Sequence, residues 1–245
     1  MSAISTKLDL PKGFHDLEDF DPTILQEIRY AGDYNFIGRP LAGYEAQRCI
    51  VSSVVGKALR KVQLEAKQFN LTLKVYEAYR PLRACEDILK WSVDSKDQLM
   101  KEEFYKHIDK ASVFDLSFVL LRSSHARGAA VDVTLVPLPV PKQKDYKKGD
   151  RLIDGILPKS QHLYDNSIDM GTGFDCFHEY SHTEHHRIVG KAKENRRLLC
   201  QLMHKQGFKN YDGEWWHFTF IKEPFPHVYF DFIISQRVQL MKDSN

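Results

Sequence analysis

The chain has 245 residues, 42% of them hydrophobic, enough for a sizeable core in one large domain or two small ones. With 35 Lys and Arg against 33 Asp and Glu the formal net charge is +2, which excludes a global field that would gather nucleic acid or an anionic membrane and favours a small neutral or zwitterionic partner. No stretch approaches the roughly 18 uninterrupted apolar residues of a membrane span, and the charged opening MSAISTKLDLPKGFHDLEDFD has no apolar run of a secretory signal, so the cytoplasm is the expected compartment.

After an irregular opening, Tyr44 to Asn70 carries Ile50, Val51, Val54, Val55, Ala58, Leu59 and Val62 at helical spacing and predicts a long amphipathic helix ended by Asn70. Leu71 to Tyr79 alternates apolar and polar residues and reads as a strand. Pro81 then opens a helix through about Trp91, placing Arg80 at a strand-to-helix junction. Lys96 to Lys110 is charged and partly helical, either a lid or a solvated connector. Ser123 to Gly128 is a polar loop entering the apolar strand Ala129 to Val136, which Pro137, Pro139 and Pro141 end. The Lys- and Asp-rich stretch over about 137–165 reads as an exposed insertion. Glu184 to Gln206 returns to helical spacing, with Gly207 suited to the position after its C-cap, and Trp215 to Ile221 is the last strand. The expected fold class is α+β: helices packed on a mainly antiparallel sheet, in a single domain with a metal site in a cleft.

Two segments carry residues fit for chemistry. In AAVDVTLV, Asp132 shares a strand face with Ala130 and Thr134 while Val131, Val133 and Leu135 take the other. A carboxylate in a core-like strand requires a cation, an arginine or several hydrogen bonds. A structural salt bridge and a metal both satisfy that demand. His125 precedes it across a loop in which Gly128 permits a close turn. Downstream, EWWH supplies His217 inside an aromatic strand, and Glu214 must sit in the turn before that strand, or on a bulge, to reach the same point. Two imidazoles and a carboxylate can hold one zinc with a position left open, and a second carboxylate can act as base, which suggests hydrolysis. Arg80 either pairs with Glu77 or Asp87 as a helix-start arginine or steadies a developing oxyanion. His178, His182 and His186 recur at four-residue spacing, but their segment is poorly helical and reads as a solvated loop. Cys49, Cys85, Cys176 and Cys200 are widely spaced without a CxxC pair and are expected to be free thiols.

The stretches RYAGDYNFIGRPLAGYEAQR, YEAYRPLRA, SSHARGAAVDVTL, MGTGFDCFHEYSH, NRRLL, EWWHF and EPFPHVYFDF, in this order from about Tyr30 to about Phe232, resemble the D-alanyl-D-alanine dipeptidases. These are zinc enzymes associated with vancomycin resistance and peptidoglycan turnover. The resemblance implies one zinc per chain on His125, Asp132 and His217, with Glu214 as catalytic base and Arg80 as the transition-state arginine. It further implies that Asp175 and Tyr30 lie near the substrate ammonium and Ser123 near its carboxylate, so that the partner is a dipeptide. Residues 1–29 are then an N-terminal extension, and 30–245 the catalytic domain carrying the insertion. A D,D- or L,D-carboxypeptidase acting on longer peptidoglycan peptides is the nearest alternative, and a catalytically silent zinc-binding module is another. Oligomeric state is not legible.

Overall fold

The computed structural model describes residues 10–237; residues 1–9 of the expected N-terminal extension and residues 238–245 lie outside them. In chain order the elements are β1 (Phe14–Asp16), β2 (Leu25–Gln26), β3 (Ile50–Ser52), α1 (Ser53–Ala66), β4 (Leu71–Glu77), α2 (Leu82–Val93), α3 (Lys101–Phe104), β5 (Ala130–Pro137), α4 (Gly190–Lys205), β6 (Phe208–Asn210) and β7 (His217–Phe220). A five-stranded sheet runs β2-β4-β5-β7-β6, and β1 and β3 form a separate antiparallel ribbon.

The sheet is mixed, which corrects the expectation of a mainly antiparallel one. β4, β5, β7 and β6 pair antiparallel, but β2 runs parallel to β4, with Leu25 opposite Lys74. A parallel neighbour needs a crossover, and the chain between Gln26 and Leu71, including α1, supplies it. A two-residue strand in a polar stretch leaves no periodicity to read.

Two helix boundaries also differ. α1 begins at Ser53, because Ile50 and Val51, though in phase with its apolar stripe, pair with Phe14–Asp16 as β3. α4 begins at Gly190 rather than Glu184, and both helices end as expected, with Asn70 left-handed (φ 56°) beyond the first and Gly207 (φ 89°) beyond the second. Within 96–110 only Lys101–Phe104 is α-helical, and Phe104, Tyr105 and Lys110 are buried, so this stretch is packed rather than a solvated connector.

α1 buries Val55, Ala58, Leu59, Val62 and Ala66 at the three- and four-residue spacing of one helix face. It packs on β4 and on α4, which lies against β6. Gln63, fully buried in that face, donates to Thr23 O and Thr72 Oγ1 and accepts from Leu73 N at 2.8 Å, so its burial leaves no polar group unmet. Phe218 of β7 faces the α4 side, its ring 6.4 Å from that of His204. Alternation therefore sends His217 to the opposite face of the sheet. On that face the segment after β5 returns to the sheet at Asp165, which is half-buried and accepts from Arg29 Nη2 (2.9 Å), Lys74 Nζ (3.1 Å) and Tyr76 OH.

Candidate active site

The register of the sheet assembles the site. Asp132 of β5 lies directly opposite His217 of β7. On its other side β4 carries a bulge: Val75 pairs with Val133, but Glu77 rather than Tyr76 pairs with Asp132. His125 sits one turn before β5, in a short 3-10 segment (Ser124–Arg127) closed by Gly128 in the left-handed conformation (φ 65°). A Cβ on Gly128 would lie 2.4 Å from the Phe14 ring, so glycine is needed for both the turn and the contact. Arg80 N and Gly128 N donate to His125 O, and Phe230 N donates to Ala126 O, which fixes the turn from three sides.

Three donor atoms converge. Asp132 Oδ1 lies 3.3 Å from His125 Nε2 and 3.2 Å from His217 Nδ1, and the two nitrogens are 3.2 Å apart. His125 Nδ1 donates to Ala78 O at 2.7 Å, which leaves Nε2 as the lone-pair nitrogen facing Asp132. Asp132 Oδ1 is buried and has no hydrogen-bond partner. Lone pairs on three facing atoms, one of them an unpartnered carboxylate oxygen, call for a cation. A point equidistant from the three lies about 1.9 Å from each, and slightly farther out of their plane, close to the roughly 2.0–2.1 Å of zinc–nitrogen bonds. The residues present thus fit a metal ion. Among the described residues no other group of three His, Cys, Asp or Glu side chains gathers in this way, and His178 instead accepts from Tyr180 N through Nδ1, so the rival histidine cluster is not assembled.

Around the three donors stand the remaining expected residues. Glu214 lies in the turn before β7, as the spacing required, with Oε2 3.7 Å from His217 Nδ1. Burial, then the nearby charges of Asp132 and Asp175, push its carboxyl well above the ordinary range. Burial would raise Asp132 too, but whenever the His125 and His217 rings carry protons in place of an ion, their charge outweighs it and holds that carboxyl well below. Arg80 pairs with Glu77, its Nε donating to Oε1 at 2.9 Å and Nη2 to Oε2, whereas Asp87 pairs with Arg39. Its guanidinium lies 5.1 Å from the centre of the Tyr30 ring. Tyr30 OH donates to Asp175 Oδ2 at 2.9 Å. Asp175 adopts a positive φ of 57°, a strained conformation for a residue other than glycine and of the kind that gathers at functional sites. Burial and the Asp132 charge raise its carboxyl well above the usual range. Ser123 Oγ accepts from His125 N at 3.2 Å.

All eight side chains expected from the sequence line one cavity of about 220 Å3, walled further by Phe36, Phe118, Phe177 and Trp216. That is below the roughly 300–1,000 Å3 of sites for drug-sized ligands, so the cavity takes something smaller. The Asp175 segment is held from behind by Arg196, whose guanidinium donates to Met170 O (2.6 Å), His182 O (2.7 Å) and Tyr180 O (2.8 Å), and by Trp215 Nε1, which donates to Thr172 Oγ1 (2.9 Å). Sequence reasoning named Glu77 only as one of two partners for Arg80 and missed its place beside Asp132. The bulge that puts it there leaves no mark in the alternation of LTLKVYE.

A donor triad of this composition on a rigid sheet, with a further carboxylate and a guanidinium in one small cavity, defines a metal-dependent hydrolase. The sequence profile of the D-ala-D-ala dipeptidase family matches residues 11–139 and 142–235. The D-alanyl-D-alanine dipeptidase of Enterococcus faecalis is 33% identical over 226 residues, covering 92% of this chain and 100% of its own. That of Streptomyces coelicolor is 34% identical over 209 residues, 85% of this chain and 92% of its own, and that of Escherichia coli 30% identical over 218 residues, 89% and 86%. The chain belongs to the D-ala-D-ala dipeptidase family of metallopeptidases. A solved structure of the vancomycin resistance D,D-dipeptidase VanXYg with a D-Ala-D-Ala phosphinate analog covers 86% of this chain and 67% of its own at 15% identity, with a TM-score of 0.34, a superposition too loose to carry an argument.

Proposed function

We propose that this protein hydrolyses the dipeptide D-alanyl-D-alanine to two D-alanines, with one zinc ion per chain held by His125, Asp132 and His217. The observation that carries the reading is the buried, unpartnered Asp132 Oδ1 facing two imidazole nitrogens, in a chain of this family. When bound, zinc supplies Lewis acidity, which polarises a carbonyl and acidifies water. Glu214, whose raised proton affinity suits a general base, takes the proton of the attacking water and returns it to the departing amine. Arg80 offers the guanidinium edge that Glu77 leaves free to the oxyanion forming at the scissile carbonyl. Asp175, aligned by Tyr30, receives the substrate ammonium, and Ser123 the terminal carboxylate; the small cavity volume supports a dipeptide over a longer peptide.

The same reading treats residues 1–29 as an N-terminal extension to a catalytic domain over 30–245 with an insertion at 137–165, the extension lending β1 and β2 to the fold. Its proposed compartment is the cytoplasm, where the four cysteines, all unpaired, stay reduced. No helix among the described residues is long and apolar enough to cross a membrane. The test is to incubate the purified chain with D-Ala-D-Ala, L-Ala-L-Ala and N-acetyl-D-Ala-D-Ala, with and without a chelator, and to count released amines. Chelator-sensitive release from the free D,D-dipeptide alone is expected. Equal cleavage of the N-acetylated peptide favours a carboxypeptidase, and no release with metal bound favours a silent zinc module.

A further inference from the structure

We propose that Glu77 is a positioning residue for the reaction: it grips the inner edge of the Arg80 guanidinium and keeps the outer edge turned into the cavity, with Tyr44 fixing Glu77 in turn. This rests on the reading of Arg80 given above. Glu77 has no exposed surface and reaches the site only because the β4 bulge sets it opposite Asp132. Its two carboxylate oxygens take Arg80 Nε and Nη2, and Tyr44 OH donates to Oε1. A guanidinium carries five donors in a fixed plane, so fixing the Nε edge decides where the others point.

Glu77 makes no hydrogen bond to the metal-site residues. Its Oε2 lies 3.9 Å from His125 Nδ1, and that nitrogen is committed to Ala78 O. Asp132, Asp175 and Glu214 line the same cavity as Arg80. Without the Glu77 carboxylate, the buried guanidinium would turn toward these three acids. Those acids must stay free for the ion, the substrate ammonium and the moving proton. Glu77 therefore keeps the cation from being neutralised by the wrong partner. Tyr44 and Tyr30 extend the brace, their rings meeting edge to face at 6.1 Å while the Arg80 guanidinium lies over Tyr30.

The experiment uses the zinc-loaded protein and compares Glu77→Gln, Glu77→Asp, Tyr44→Phe, Arg80→Ala and the double variant Glu77→Gln/Arg80→Ala. Metal content, kcat and KM for the dipeptide, and hydrogen exchange of the Arg80 Nε–H by nitrogen-15 NMR are read. With zinc retained, Glu77→Gln is expected to lower kcat about 10- to 100-fold and KM to change less than about threefold, because misplacement of a preorganised donor falls on the transition state. Glu77→Asp recovers part of the loss, Tyr44→Phe shows a smaller loss in the same direction, and Nε–H exchange in Glu77→Gln speeds at least about tenfold as a neutral amide oxygen replaces the charged acceptor. In the Arg80→Ala background, Glu77→Gln changes kcat by less than about threefold. The same fold loss with and without Arg80, or an Nε–H exchange rate unmoved by Glu77→Gln, overturns the proposal. If Glu77→Gln does not fold, Tyr44→Phe decides by the same two measurements. Full kcat in Arg80→Ala overturns the reading of Arg80 itself and Glu77's share in turnover with it, whereas a damaged Arg80→Ala beside an intact Glu77→Gln sinks the Glu77 proposal alone.

Discussion

Glu103→Gln is expected to change how the stability of this protein depends on pH. Glu103 lies at the end of α3, with Oε1 accepting from Tyr34 OH and Oε2 buried without a partner. Burial raises its pKa from 4.5 to about 7, although the Tyr34 hydrogen bond and the Arg29 charge pull the other way. The folded protein thus holds the Glu103 proton more tightly than the unfolded chain does. By linkage, stability is undiminished below the unfolded value of 4.5 and is lost as pH rises toward 7, after which it stays level. At about 1.4 kcal/mol per pH unit, the loss over this interval is about 3 kcal/mol. Glutamine can accept from Tyr34 and carries no charge, so it lacks this pH-dependent loss. For a chain of this size about 1 kcal/mol moves Tm by about 2–4 °C. Between pH 4.5 and 7.5, Tm of Glu103→Gln should accordingly gain roughly 6–12 °C on the parent. Thermal unfolding followed by circular dichroism at half-unit pH steps measures the difference, in which other titrating groups cancel. A Tm difference that stays constant across that range would refute the argument, because it would mean Glu103 ionises alike in the folded and unfolded chains.

Three other perturbations have definite outcomes. Gly128→Ala forces a side chain into a left-handed position and against Phe14, so urea unfolding should show a loss of about 1–3 kcal/mol and zinc affinity should fall; unchanged stability would contradict the close approach. Arg196→Met leaves the buried Met170 carbonyl, the half-buried Tyr180 carbonyl and the His182 carbonyl without their donor, at a cost of about 1–3 kcal/mol, and KM should rise as the Asp175 segment loosens. A stable variant with normal KM would count against that anchoring. Glu214→Gln should keep its zinc and its circular dichroism spectrum but lose about 10²- to 10⁴-fold in kcat, and near-normal turnover would remove Glu214 from the mechanism.

Legibility followed the range of the interactions. His125 and Asp132 lie on one short stretch whose turn and alternation are local, and Glu214 and His217 on another, so each half of the site could be read from its own segment. Local pattern also gave β4, α2, β5 and the ends of α1 and α4. Misreadings arose where a distant partner decides. Ile50 and Val51 suit a helix until Phe14–Asp16 is available to pair with them, and Leu25–Gln26 becomes a strand only because the edge of β4 is free. Glu77 is the instructive case. Alternation alone would place Tyr76 opposite Asp132, and the extra residue that moves Glu77 there is a property of two strands together.

That Asp132 and His217 face each other across adjoining strands has a consequence for how such proteins can diverge. Their separation is dictated by the hydrogen-bonded ladder, so adding or deleting one residue within β5 or β7 would swap inward for outward side chains and abolish the proposed metal cradle at a stroke. Loops that merely join these strands are under no such constraint. A chain of this fold could therefore rebuild its rim without disturbing the pair of strands on which the proposed metal seat rests.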